Sequence, residues 1–233
     1  MTNKDGNRAL LLEVKNSSPE QIRFVTGHVS VNGLLVKDSE LSYDTINPNK
    51  RCIVDVDFSD IMRDSYWDAF GIRKIGEVAL DIKIVNADGS TISEAATITV
   101  KIPDTNAEFD ASGKEVYSGS GIRILAKGVV ESGSEYSKDM YALFVIENTN
   151  AESVSVDDVY DTLSVNGFMC DYSFTKTTID GNGYSLLAVK LLESSLEKNN
   201  ISKSSDITEI EVSIDIKDSS GKKLDSPTVQ IKY

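Results

Sequence analysis

One strand-and-turn plan is written twice along the chain, and this duplication limits its fold more than any other feature. Residues 10–24, LLLEVKNSSPEQIRF, lie over residues 143–156, LFVIENTNAESVSV, with Asn16 on Asn148, Glu20 on Glu152, Ile22 on Val154 and Phe24 on Val156. VSVNG (29–33) lies over LSVNG (163–167), LDIK (80–83) over IDIK (214–217), and the ending TITVKI over TVQIKY. Each copy runs to about 110 residues, a repeat long enough for a small domain with its own core.

The pattern inside each copy is that of strands. Ile210, Val212, Ile214 and Ile216 alternate with Glu211, Ser213, Asp215 and Lys217; Val78, Leu80, Ile82 and Ile84 alternate with Ala79, Asp81 and Lys83. Period-two alternation sets one face on a core and the other in water, as in antiparallel sheets. Leu10, Leu12 and Val14 match Ala142, Phe144 and Ile146, which predicts the same inward face in both copies. Asn32-Gly33 and Asn166-Gly167 predict two-residue type I′ hairpins, whose central residues both need positive φ. Two short helices interrupt the strands. One is expected within 59–72, with Ser59 as N-cap and a stripe of Met62, Tyr66 and Phe70; the other lies within 191–201, with Leu192 and Leu196 facing inward. The expected fold is all-β: two tandem immunoglobulin-like antiparallel β-sandwiches, each with one short helix between strands.

The expected division is residues 1–104 for the first sandwich, 105–120 for a linker rich in Gly, Ser and Asp, and 121–233 for the second. Glu115-Val116-Tyr117 within the linker is apt to pair with a sheet edge. GIRILAKGVVE (121–131) reads as a first strand of copy two with no counterpart in copy one. The first sandwich is therefore expected to lack that strand, or to draw it from elsewhere.

With 24 Lys and Arg against 37 Asp and Glu, the chain carries a formal charge of −13. Such a surface repels phosphate backbones and anionic headgroups, which excludes nucleic acid and bare membrane as expected partners. No apolar run approaches the ~20 residues of a membrane span, and the opening MTNKDGNRALLLEV is not a secretory signal. The expectation is a cytoplasmic chain or one whose leader or anchor is absent from this sequence. Cys52 and Cys170 are too few and too scattered for a disulfide framework; each has apolar neighbours and reads as a small buried hydrophobe.

The strings LFVIENTNAESVSV, LSVNGFM, LEKNNISKSSDITEIEVSIDIKD and TVQIKY resemble uncharacterised tandem immunoglobulin-like repeat domains of Gram-positive gut bacterial surface proteins and lipoproteins. The resemblance covers most of 122–233, and 10–102 more weakly. It implies β-sandwiches in an extracellular or cell-surface setting, often behind a lipoprotein signal or membrane anchor. It supplies no catalytic residue.

Chemistry-bearing motifs are sparse. The single histidine, His28, approaches a strand and reads as solvent-facing rather than as a catalytic base. No G-x-S-x-G, P-loop or dinucleotide fingerprint is present. Asp55 and Asp57 alternate along one strand, and Asp60, Asp64 and Asp68 follow at helical spacing. Clustered carboxylates suit Ca2+, so Asp55, Asp57, Asp60 and Asp64 are the candidate metal ligands, against the alternative of a solvated acidic face. Trp67, Tyr66, Tyr43 and Tyr172 are the candidate ligand-binding residues, as a platform for sugar rings, against the alternative of core packing. The expected function is a non-enzymatic surface or secreted module, a spacer or binding domain for protein or glycan. Alternatives are a glycan-binding accessory module and a metal-dependent hydrolase built on Asp55, Asp57 and Asp60.

Overall fold

The computed structural model describes residues 4–37, 41–59, 62–103, 105–134 and 137–233. The described residues are nearly all β, with two short α-helices and antiparallel sheets in sandwich-like layers. The chain divides into two compact units, Met1–Asp64 with Arg73–Glu108, and Ser65–Ile72 with Phe109–Tyr233.

The first unit holds β1 (Ala9–Lys15), β2 (Ile22–Val31), β3 (Leu34–Lys37), β4 (Leu41–Ile46) and β5 (Arg51–Asp57). After the helix α1 (Asp64–Ala69) come β6 (Glu77–Asn86) and β7 (Thr91–Lys101). One layer pairs β1 with β5, setting Leu10 opposite Val56 and Leu12 opposite Val54. In the other, β2 is central: β4 pairs its first half, β3 its second half, β6 its opposite edge, and β7 pairs β6. Phe24, Val29, Val31, Val78 and Leu80 are buried on this layer, and Val54 and Val56 on the other.

The second unit holds β8 (Lys114–Gly119), β9 (Ile122–Ser134), β10 (Ser137–Asn148), β11 (Val154–Asp158), β12 (Ser164–Val165), β13 (Phe168–Met169) and β14 (Tyr172–Ser173). It continues with β15 (Thr177–Ile179), β16 (Gly183–Leu191), the helix α2 (Glu193–Lys198), β17 (Glu209–Asp218), β18 (Lys223–Asp225) and β19 (Thr228–Lys232). One layer runs β8-β9-β10-β16, with β14 on β16; the other is built on β17, flanked by β11 and β12 on one side and by β18 and β19 on the other. A single core joins them. Ile122, Ile124, Ala142, Phe144, Ile146, Leu187 and Val189 meet Val154, Val156, Ile210, Val212, Ile214, Ile216 and Ile231.

In β17 the predicted inward set, Ile210, Val212, Ile214 and Ile216, is buried throughout. In β6 the alternation holds only at Val78 and Leu80. Its pairing with β7 slips between Ile82 and Ile84 and again before Val85, so Val85 is buried and Ile84 is not. A bulge inserts a residue and exchanges the two faces beyond it, which period counting does not register.

Both Asn-Gly pairs form the predicted turns: φ is 53° and 86° at Asn32 and Gly33, and 52° and 80° at Asn166 and Gly167. The helices are shorter than expected. α1 begins at Asp64, beyond Ser59, so Ser59 is not its N-cap; Ser59 N instead donates to Asp57 Oδ1 at 2.7 Å. α2 buries Leu196, while Leu192 is its N-cap residue. From Ser65 onward the α1 segment packs in the second unit, where the Tyr66 ring meets Tyr141 edge-on at 5.7 Å and Asp110 N donates to Phe70 O at 2.6 Å.

Candidate functional site

The aromatic platform does not assemble. Trp67 and Tyr66 are 3% and 4% exposed, so neither ring offers a face to a sugar. Helical spacing reported a stripe, and the stripe belongs to the core. Tyr172 is half-buried, and its hydroxyl donates to Asp158 Oδ2 at 2.7 Å; burial, and then that carboxylate, push the phenol up to about 12. Tyr43 is half-buried in the first unit.

Among the described residues the acidic group does not gather either. Asp57 is committed to local bonds, accepting from Asn7 Nδ2 at 2.9 Å and from Ser59 N. Asp64 and Asp68 are exposed, and Asp60 lies outside the described residues. Among the described residues Asp55 is the only carboxylate lining a depression of about 500 Å³ formed with Leu11, Tyr43, Cys52 and Ile53, and its Oδ1 is buried there with no hydrogen-bond partner. No group of three or more His, Cys, Asp or Glu side chains among the described residues is arranged to hold a metal ion. Alternation placed Asp55 and Asp57 on one face correctly, but a shared face is not a convergent site.

His28 stands on β2 and is partly exposed, with Nδ1 3.9 Å from Asp81 Oδ2. Cys170 is buried, which pushes its thiol up, and Asn199 Nδ2 lies 3.8 Å from its sulfur. Neither belongs to a nucleophile–base pair seen among the described residues.

The feature best shaped for contact is the β12–β13 hairpin of the second unit. Phe168 and Met169 are 56% and 57% exposed, whereas their repeat counterparts Leu34 and Leu35 are buried. The hairpin is held firmly. Asn166 N donates to Glu209 O at 2.9 Å and Asn166 Nδ2 to Asp206 O at 2.9 Å, while Asn166 Oδ1 accepts from the backbone N–H of Thr208 and Glu209 at 2.8 and 3.1 Å. Cys170 N donates to Leu163 O at 3.1 Å, closing the other end. The preceding loop is fixed too: Thr162 Oγ1 donates to Val159 O at 2.7 Å, and Tyr172 ties down Asp158, leaving Tyr160 90% exposed. Exposed apolar side chains on a rigid backbone lose little entropy on binding. Sequence reading passed over Phe168 and Met169 because, by analogy with Leu34 and Leu35, they count as ordinary strand residues.

No family model matches the chain, and no curated protein does. Solved structures give distant likenesses. The exo-chitosanase CsxA of Amycolatopsis orientalis is 9% identical with a TM-score of 0.29 over 97% of this chain and 25% of that one. A 1.5-MDa bacterial ice-binding adhesin is 16% identical at 0.25, over 97% and 57%. A protein of unknown function from Porphyromonas gingivalis W83 is 12% identical at 0.26, over 96% and 90%. The chain thus spans a quarter of the chitosanase and little more than half of the adhesin chain. Scores this low carry no argument about what the chain does.

Proposed function

We propose that the chain is a non-enzymatic binding module of a cell-surface or secreted protein, and that it engages a protein partner through the β12–β13 hairpin. The carrying observation is the pair Phe168 and Met169, exposed side by side on a strand edge whose backbone is already fixed. Edge strands with uncovered apolar side chains are natural pairing surfaces, and aromatic and Met side chains are common anchors. The scattered carboxylates and the lone histidine favour this reading over the hydrolase. The burial of Trp67 removes the main support for the glycan module. No helix among the described residues is long and apolar enough to cross a membrane; the surface setting rests on the sequence resemblance.

The test is a screen of the whole chain against arrays of extracellular proteins and of glycans, repeated with a Phe168→Ser/Met169→Ser variant. Saturable binding to a protein, lost in the variant at an unchanged melting temperature, is the expected result. Binding that survives the double change, or turnover that requires a divalent metal, defeats the proposal.

A further inference from the structure

In the second unit, β10 is paired on both edges. β16 lies on one side, with Ala142 opposite Val189 and Phe144 opposite Leu187. On the other side β9 runs antiparallel, from Ile122 opposite Asn148 to Ala126 opposite Phe144, and contributes Ile122, Ile124 and Ala126 to the core. Under that cover Ala142, Phe144 and Ile146 are at most 1% exposed.

In the first unit β1 holds the place of β10, and β5 that of β16: Leu10 faces Val56 and Leu12 faces Val54. The other edge of β1 has no strand on it among the described residues. The inward residues Leu10, Leu12 and Val14, counterparts of the sealed Ala142, Phe144 and Ile146, remain half-buried. Beside them, among the described residues, no strand takes up the backbone groups of that edge. This slot has the length and the chemistry of a β9-type strand.

We propose that the free edge of β1 is a receptor for an extended strand supplied by another polypeptide, running antiparallel to β1 with apolar side chains at every second position and an acidic residue opposite Lys15. The second unit supplies the template for the apolar positions. The acid follows from charge. Arg123 of β9 stands opposite Glu147 and donates to it at 2.6 Å. The repeat counterpart of Glu147 is Lys15, so the sign is inverted and the donor must carry the carboxylate. Strand addition of this kind gains affinity from main-chain hydrogen bonds and specificity from alternate side chains. A formal charge of −13 on each copy opposes self-pairing, which favours a foreign donor over a second copy.

The probes are a synthetic peptide of residues 121–131, GIRILAKGVVE, the same peptide with Arg123→Glu, and a scrambled control. Each is titrated into the isotope-labelled full chain, with amide shifts and hydrogen exchange as readouts. The Arg123→Glu peptide is expected to bind saturably, to shift and protect amides of Leu10–Lys15, and to bind about two- to fivefold tighter than the unmodified one, the worth of one surface charge pair. Lys15→Glu in the chain is expected to reverse that order, and Phe168→Ser/Met169→Ser to leave it unchanged. The proposal is overturned if neither peptide perturbs β1, if the scrambled peptide binds as well, or if β1 amides of the free chain are as protected as those of β10. Dimerisation through β1 without peptide also overturns it, since the occupant is then a second copy.

Discussion

At the scale of single residues, four asparagines carry much of the plan. Asn16 Nδ2 donates to Glu20 O at 2.7 Å and Ile46 O at 3.0 Å, and its Oδ1 accepts from Ser18 N at 2.9 Å. Asn148 repeats this with Glu152 O at 2.9 Å, Ile179 O at 3.1 Å and Asn150 N at 3.0 Å. Asn32 does for the first unit what Asn166 does for the second: its Oδ1 accepts from Gly76 N and Glu77 N at 2.8 and 3.1 Å. The turn role of Asn-Gly is legible in sequence because it depends on two local dihedrals. The stapling role is not, since its partners lie some forty residues further on. The two roles separate experimentally. Asn166→Gly keeps a residue at ease with positive φ but deletes the staple. It is expected to destabilise the second unit by about 1–3 kcal/mol in urea unfolding, where a purely conformational role would make it nearly neutral.

At the scale of elements, alternation predicts burial wherever register is unbroken. β17 is such a strand, and Ile214→Asp is expected to cost about 3–5 kcal/mol by placing an unpaired charge in the core. Ile84, past the bulge in β6, is half-buried, so Ile84→Asp is expected to cost only about 1 kcal/mol. Parallel thermal melts of the two variants check the contrast, and equal losses would show that β6 keeps its phase. In the joining segment Glu115-Val116-Tyr117 pairs with a sheet edge as expected, and an anchor that composition did not reveal lies beside it. Lys114–Gly119 forms β8 on the edge of β9, and Lys127 Nζ donates to Asp110 Oδ2, Asp110 O and Ser112 O at 2.8, 3.1 and 2.8 Å. The hydrogen bonds from Lys127 and Ser112 hold the Asp110 carboxyl at about 2, below its ordinary 3.8. A carboxyl pKa lowered by folding adds stability that is full above about pH 4 and fades as pH falls toward 2. Asp110 is partly solvated, so screening limits the increment to about 1 kcal/mol. Asp110→Asn is therefore expected to reduce stability at pH 6 and to narrow the gap to the parent in acid unfolding below pH 3.

At the scale of the whole molecule, the two units share a plan but not its completion. In the second, β10 sits between two partners; in the first, β1 has one, among the described residues. The sequence already showed this asymmetry, because GIRILAKGVVE has no partner string in copy one. It did not show the energetic consequence, which depends on how far Leu10, Leu12 and Val14 are left in contact with water. Full burial of an aliphatic side chain contributes about 1.5–3 kcal/mol, so three half-buried ones forfeit about 2–4 kcal/mol relative to their own full burial under a covering strand. Opening of β1 is correspondingly cheaper, by about a hundredfold in equilibrium constant. Hydrogen exchange resolved along the chain is expected to release the amides of Leu10–Val14 well before those of Ala142–Ile146. It is also expected to show the first unit losing its protection at lower urea than the second. Simultaneous loss in both units would mean that β1 is held by something other than β5, and the half-exposed face would then need a different explanation from an edge no described strand covers.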